Sequence, residues 1–195
     1  METIDNNWHL CTDEDDTVVT EFELQLWRVY YGFVRWQEEC ESSTGNTDLV
    51  GNELAILHII RMRNTPKTIL DIGRLLNRGD VYNIRYSIAK LLKLGLIKKV
   101  KSNYSSKNFL FQITEIGIKN TDDFTRMRKR ILVNIFKKQI EGGLKLEELA
   151  AALTRIKSIY DDADHAVAFY KSSKETDKDG EKSTRGKDRH RGDKA

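Results

Sequence analysis

The sequence predicts a mainly α-helical chain carrying one small β-hairpin, and three observations lead there. Apolar residues recur at helical spacing along most of the chain. That period gives way to alternation over one short stretch, residues 97–113. Glycine and proline number only 12 and 1 among 195 residues, too few for a turn-rich all-β fold. Hydrophobic residues make up 39%, enough for a core, and charged residues 32%, above the usual share of about a quarter.

The first helix is expected over residues 15–41. Between Leu24 and Trp36 it is apolar on nearly every side, through Leu26, Trp27, Val29, Tyr30, Tyr31, Phe33 and Val34. Such a helix must be covered all round, and in a short acidic segment the expected cover is a partner subunit. A polar break follows at 42–46. The second helix, 51–63, carries Leu54, Ile56, Leu57, Ile59 and Ile60, and Pro66 cannot continue it. Thr68, with Asp71 three residues later, opens a third helix over 69–76 in capping-box fashion. Ile69, Ile72, Leu75 and Leu76 are its inward residues.

Arg78-Gly79-Asp80 is a turn, with Asp80 expected as the N-cap of a fourth helix that ends at Leu94, before Gly95. Val81, Ile84, Ile88, Leu91 and Leu92 form its apolar stripe. Tyr82, Asn83, Tyr86, Lys90 and Lys93 occupy the opposite side, with Arg85 and Ser87 on the flanks. Strands at 97–101 and 109–113 enclose a polar tip of residues 102–108. A fifth helix begins at Asn120, with Phe124, Met127, Ile131, Ile135 and Phe136 inside, and Gly142-Gly143 breaks it. A sixth helix, 144–170, carries Leu146, Leu149, Leu153, Ile156, Tyr160, Ala163, Val167 and Tyr170 at alternating steps of three and four. That heptad seam suits either a partner helix or the core of its own subunit. Residues 172–195 are polar and charged and are expected to be disordered.

Charge is unevenly spread. Residues 1–60 carry a net −11, residues 61–140 a net +14, and the whole chain +3. A basic block between acidic flanks is a footprint for a polyanion, because lysine and arginine on phosphates release counterions. The acidic N-terminus lacks an apolar run and no stretch suits a bilayer, so the expected location is the cytoplasm. Cys11 and Cys40 stand in no metal or CxxC pattern; they read as reduced thiols, with a redox-sensing role as the alternative. An enzyme is not expected. No phosphate-binding loop, dinucleotide fingerprint, zinc-protease motif or nucleophile elbow occurs, and His9, His58, His165 and His190 are scattered. Asp161, Asp162, Asp164 and His165 read as a solvated turn of helix. No cofactor or metal is implied.

Helix, helix, turn, helix and hairpin make up the winged helix-turn-helix order. Tyr82, Asn83, Arg85 and Tyr86 are candidates to read bases in the major groove, where asparagine pairs with adenine and arginine with guanine. Ser87, Lys90, Lys93, Lys99, Lys101 and Lys107 are candidates for phosphates or the minor groove. Lys98 adds to the basic wing, and Tyr104 sits at its tip. Arg126, Arg128, Lys129 and Arg130 either approach the DNA backbone or balance the acidic first helix. A winged helix used for protein contacts, or for architectural DNA binding without an effector, is the rival reading.

The run from Leu91 to Ile97, Leu-Leu-Lys-Leu-Gly-Leu-Ile, resembles the end of a MarR-family recognition helix entering its first wing strand. Ile113-Thr114-Glu115-Ile116-Gly117 is similar to that family's signature after the wing, Leu-Thr-x-x-Gly. Asn83-Ile84-Arg85-Tyr86-Ser87 is similar to the alphaproteobacterial branch that includes LdtR. The resemblance covers residues 15–170. The family's Asp-x-Arg at the wing tip is replaced by Ser105-Ser106-Lys107, which removes the orienting acid. The resemblance implies a homodimer that binds a pseudo-palindromic duplex, usually as a repressor, and that is often released by a small aromatic ligand. It makes Trp27, Tyr30, Tyr31, His58 and Met62 candidate effector-pocket residues; plain dimer core is the alternative. The implied division is an N-terminal arm and dimerisation helix (1–44), a winged helix-turn-helix (45–118), C-terminal dimerisation helices (119–171) and a charged tail (172–195).

Overall fold

The computed structural model describes residues 8–44, 47–102 and 105–188, without the side chains of Ser102, of 105–108 and of 174–188. The elements are α1 (Glu14–Thr44), α2 (Gly51–Arg61), a 3-10 turn (Met62–Asn64), α3 (Ile69–Leu76), α4 (Val81–Lys93), β1 (Ile97–Ser102), β2 (Ser105–Ile113), α5 (Glu115–Arg128), a π-helical turn (Lys129–Val133), α6 (Asn134–Glu141) and α7 (Leu146–Asp188). They fall into two compact units, Met1–Ile135 and Phe136–Ala195.

The core of the first unit is built where α2, α3, α4 and the hairpin meet. Leu54, Ile56, Leu57, Ile60, Ile72, Ile84, Ile88, Leu91, Leu96, Ile97, Phe111 and Ile113 are all buried there. These are the apolar positions that the 3.6-residue and 2-residue periods mark as inward. Burial of a leucine or isoleucine contributes about 1.5–3 kcal/mol, so this cluster dominates the stability of the unit.

Short-range rules set the joints between elements. Thr68 and Asp71 form a reciprocal capping box: the Thr68 hydroxyl accepts from Asp71 N at 3.0 Å, and Asp71 Oδ2 accepts from Thr68 N at 2.9 Å. Asn77 ends α3 in the left-handed region (φ 54°), with Arg78 N donating to Gly73 O at 2.8 Å. Gly95 does the same for α4 (φ 68°), with Leu96 N donating to Leu91 O at 3.0 Å. Both are Schellman endings, which satisfy carbonyls the helix leaves open.

β1 and β2 pair antiparallel, Ile97 opposite Ile113 and Lys101 opposite Phe109. The strands run further toward the tip than alternation alone marks, because hydrogen bonding continues where the side chains turn polar. Lys67 adds a short third rung through mutual bonds with Phe111, N to O at 3.0 Å and O to N at 2.8 Å. Its side chain is buried, and Nζ reaches Ile60 O at 3.3 Å, Met62 O at 2.5 Å and Thr65 O at 2.8 Å. A lysine ammonium thus caps the carbonyl end of α2, where the helix dipole is negative.

Several expected boundaries move. α2 stops at Arg61 because Arg63 and Asn64 adopt positive φ (60° and 53°). The fifth helix starts at Glu115 rather than Asn120, because Thr114 caps it with its hydroxyl accepting from Gly117 N at 3.2 Å. α7 continues to Asp188 through the segment expected to be disordered. That segment has no proline and mixes charges of both signs, so neighbouring turns can offset one another. Residues 189–195 lie outside the described residues.

α1 is covered on one side only. Cys40, Glu41 and Gln37 are buried near its end, whereas Trp27, Val29, Tyr30, Tyr31 and Phe33 are each more than half exposed. In the second unit α7 likewise leaves Leu149, Leu153, Tyr160, Val167 and Tyr170 of the heptad seam exposed.

Candidate nucleic-acid interface

α4 turns Ile84, Ser87, Ile88 and Leu91 into the core. That places Tyr82, Asn83, Arg85, Tyr86 and Lys93 outside, with Tyr82 at 82% and Tyr86 at 71% exposure. Tyr82, Asn83 and Tyr86 therefore share the outer face of α4, and Arg85 stands exposed on its flank, in the groove toward the wing. Ser87 does not join them: at 5% exposure it is packed inside, because it lies one turn from Ile84 and Leu91 on the buried stripe. This corrects its place among the outward residues.

Lys90 is also bound inward. Its Nζ lies 2.8 Å from Glu53 Oε2 and 2.9 Å from the Asp48 carbonyl. Glu53 itself is buried, and the same oxygen accepts from Val50 N at 2.9 Å. Glu53 thus needs a cation, and Lys90 supplies it from the adjoining helix. Lys93, further along α4, is exposed.

Asp80 is not a side-chain N-cap. The Arg78 guanidinium claims its carboxylate instead, through Nε to Oδ1 at 2.8 Å and Nη2 to Oδ2, while Asn83 Nδ2 donates to Oδ2 at 3.0 Å. Arg78 Nη1 continues to Asn52 Oδ1 at 3.1 Å. The Arg78 and Asn83 hydrogen bonds hold the Asp80 carboxyl down to about 2. The negative charge nearest the reading face is therefore already matched by a cation.

On the wing, Lys98, Lys99 and Lys101 are exposed. Lys99 Nζ stands 5.5 Å over the Phe109 ring, a cation–π contact. The side chain of Lys107 and all of Tyr104 lie outside the described residues. A groove of about 580 Å³ runs between α3, α4 and the hairpin, floored by Ile88, Leu92 and Phe109, with Arg85 and Lys99 on its walls. Basic side chains from two elements thus face one trough beside the exposed face of α4.

Arg126, Arg128, Lys129 and Arg130 are exposed at the end of α5 and in the π-helical turn. Arg126 pairs with Asp123.

The candidate effector residues differ in burial. Trp27, Tyr30 and Tyr31 lie exposed on α1, with the two tyrosine rings 5.2 Å apart. His58 instead packs on Phe124 at 4.6 Å between ring centroids, and Trp36 meets the same phenyl ring at 5.7 Å. Met62 is half-buried in the 3-10 turn. Burial, and then the charges of Arg61 and Arg128, push the His58 imidazole down to about 4. Cys40 is buried, and desolvation followed by the charge of Glu41 raises its thiol. A thiol kept protonated is a poor redox sensor, which weighs against the alternative at that position. Cys11 is half-buried.

Two buried polar residues are not among the candidates from sequence: Glu53, which ties α2 to α4 through Lys90, and Lys67, which ties the connector to the end of α2 and to the hairpin. Glu53 accepts from Val50 N, but Val50 has no side-chain acceptor to complete a capping box, so no capping signature marks the position. Nothing local marks Lys67. Among the described residues no helix is long and apolar enough to cross a membrane, and no cluster of three metal-ligating side chains occurs.

Comparison with known proteins gives a consistent result. Residues 49–117 match a family described as winged helix DNA-binding domain. No curated protein matches the chain. Among solved structures, the transcriptional regulator BldR from Sulfolobus solfataricus aligns with a TM-score of 0.56 at 15% identity, covering 75% of this chain and 99% of that one. The MarR family transcription regulator SP03579 gives 0.54 at 17% identity, covering 74% and 96%. Reduced AbfR bound to DNA gives 0.53 at 15% identity, covering 70% and 98%. These likenesses concern the fold of the family and do not reach the branch that includes LdtR. Residues 49–117 thus match the winged helix DNA-binding domain family, and they sit in a chain whose fold is that of the MarR family transcription regulator SP03579 and of BldR.

Proposed function

We propose that the protein is a sequence-specific double-stranded DNA-binding transcription regulator that acts as a homodimer on a pseudo-palindromic operator. The observation that carries this reading is the face of α4. Tyr82, Asn83, Arg85 and Tyr86 are exposed together, α4 contains no acid, and the acid just before it is matched by Arg78. An amide and two phenols on the outer face, with a guanidinium on its flank, suit base edges in the major groove. Lys93, Lys99 and Lys101 add phosphate-directed charge on either side. A protein-contact surface would call for acids or a continuous apolar patch on that face, and it has neither.

The exposed apolar side chains of α1 and the exposed seam of α7 support a second copy as their cover. Two copies would set their α4 helices about 34–36 Å apart, one turn of duplex. Repression is the mode proposed, with release by a small aromatic effector bound against Trp27, Tyr30, Tyr31, His58 and Met62. The DNA-bound state of AbfR, a neighbour in fold, supports the duplex as ligand.

The test is selection of bound duplexes from a randomised DNA pool at about 0.15 M salt. Enrichment of an inverted repeat with half-sites one helical turn apart is the expected result. Binding without enrichment, or no binding, overturns it.

A further inference from the structure

Four side chains form a continuous chain of contacts from the start of α2 to the reading face of α4. Asn52 Oδ1 accepts from Arg78 Nη1 at 3.1 Å. Arg78 grips both oxygens of Asp80, Nε to Oδ1 at 2.8 Å and Nη2 to Oδ2. Asp80 Oδ2 then accepts from Asn83 Nδ2 at 3.0 Å. Asp80 caps no backbone group of α4 with its side chain. Its charge suits the N-terminal end of the helix dipole, and its hydrogen bonds go to Arg78 and Asn83.

We propose that Asp80 is a positioning residue for base reading: it fixes the rotamer and amide orientation of Asn83, and Arg78, anchored on Asn52, holds Asp80 in place. This inference rests on the DNA-reading function proposed above.

The chemistry follows from the asparagine amide. Its oxygen only accepts and its nitrogen only donates, and the two ends have nearly the same shape. A free surface asparagine samples both orientations and several rotamers. Adenine recognition requires one orientation, with the oxygen on N6 and the nitrogen on N7. Asp80, being an acceptor only, binds the nitrogen end and rejects the oxygen end. One N–H is spent on Asp80, while the second N–H and the oxygen stay available for a base. Asp80 is ionised at physiological pH, so the acceptor persists there, and the two-point grip of Arg78 fixes where its oxygens point. Without this chain the same side chain would pay the ordering cost on binding.

The experiment measures base preference at each operator position for the full-length protein and its variants, by competition among single-substitution duplexes. Asn83→Ala identifies the base pair that Asn83 reads. Asp80→Ala is expected to lower discrimination at that base pair about five- to tenfold, the weight of one hydrogen bond. Discrimination at the base pair read by Arg85 should stay within about twofold, and affinity for non-specific DNA should hold or rise because an acid has been removed. Asp80→Asn, which keeps an acceptor oxygen, should recover part of the lost discrimination. Circular dichroism and thermal melting of each variant separate these effects from unfolding. Loss of discrimination at every position alike, or no loss at the Asn83 base pair, overturns the inference while leaving the DNA-reading function standing. A wild-type protein with no base preference anywhere overturns both.

Discussion

Lys90 Nζ lies 2.8 Å from Glu53 Oε2, joining the reading helix to the first turn of α2. Glu53 is only 4% exposed, so the pair is partly desolvated, and Lys90 serves the fold before it can serve a phosphate. A lysine on the polar face of α4 is thereby removed from the electrostatic footprint, and Lys93 is left as the exposed cation at that end of the helix.

This relationship separates two neighbouring lysines experimentally. Lys90→Gln should destabilise the protein by about 1–3 kcal/mol, because a buried carboxylate loses its partner. It should leave the salt dependence of DNA affinity unchanged. Lys93→Gln should leave stability within about 0.5 kcal/mol and reduce the slope of log affinity against log salt by about 1. Urea titration and binding isotherms at several salt concentrations measure both.

Arg85 stands on the exposed face of α4 and on the wall of the groove toward the wing. Arg85→Ala should cost about 1–3 kcal/mol of specific binding and relax preference at one base pair. Competition among single-substitution duplexes provides the readout; uniform weakening on all sequences would instead mark Arg85 as a phosphate contact.

His58 makes stability depend on pH. Its imidazole is held down to about 4 in the folded chain against an ordinary value near 6.5. The unfolded chain therefore binds the extra proton in that interval, and stability falls as pH drops from 6.5 toward 4. The group accounts for about 2 kcal/mol lost between pH 7 and pH 5. His58→Phe should remove that part of the slope, read from denaturation midpoints at the two pH values. An unchanged slope would mean that other groups set it.

Gly117 sits where α5 crosses the start of the hairpin. A Cβ there would lie 2.1 Å from the Leu96 carbonyl oxygen and 2.8 Å from Ile113 Cγ1. Gly117→Ala should cost at least about 2 kcal/mol, since backbone must move to admit the methyl group. Thr114→Ala should cost about 1 kcal/mol through loss of the N-cap. Thermal melting of the two variants checks the order.

The Thr-x-x-Gly signature now has a physical meaning. Thr114 N donates to Leu96 O at 3.0 Å, its hydroxyl donates to Gly95 O at 2.6 Å, and Gly117 lets α5 lie against that same turn. The motif is a joint that fixes the wing to the helix after it. Its legibility in sequence reflects a requirement that is local in the chain.

The sequence by itself determined the helix-turn-helix and the hairpin, because periodicity, capping residues and Gly95 act over a few residues. It also determined that Tyr82, Asn83 and Tyr86 share a face with Arg85 on its flank, since helical spacing alone places them there. Which polar residues are consumed inside was decided only by the tertiary structure. Ser87 lies on the flank of the polar face and Lys90 within it, and their fate depends on how α2 and α4 pack. Lys67 and Glu53 are buried because carbonyls, a backbone N–H and a facing lysine from other segments satisfy them. The grip of Arg78 and Asn83 on Asp80 likewise arises where the turn meets α2. The contacts of Lys67, of Glu53 with Lys90 and of Arg78 with Asn52 join side chains across the fold, and no local pattern in the chain records them.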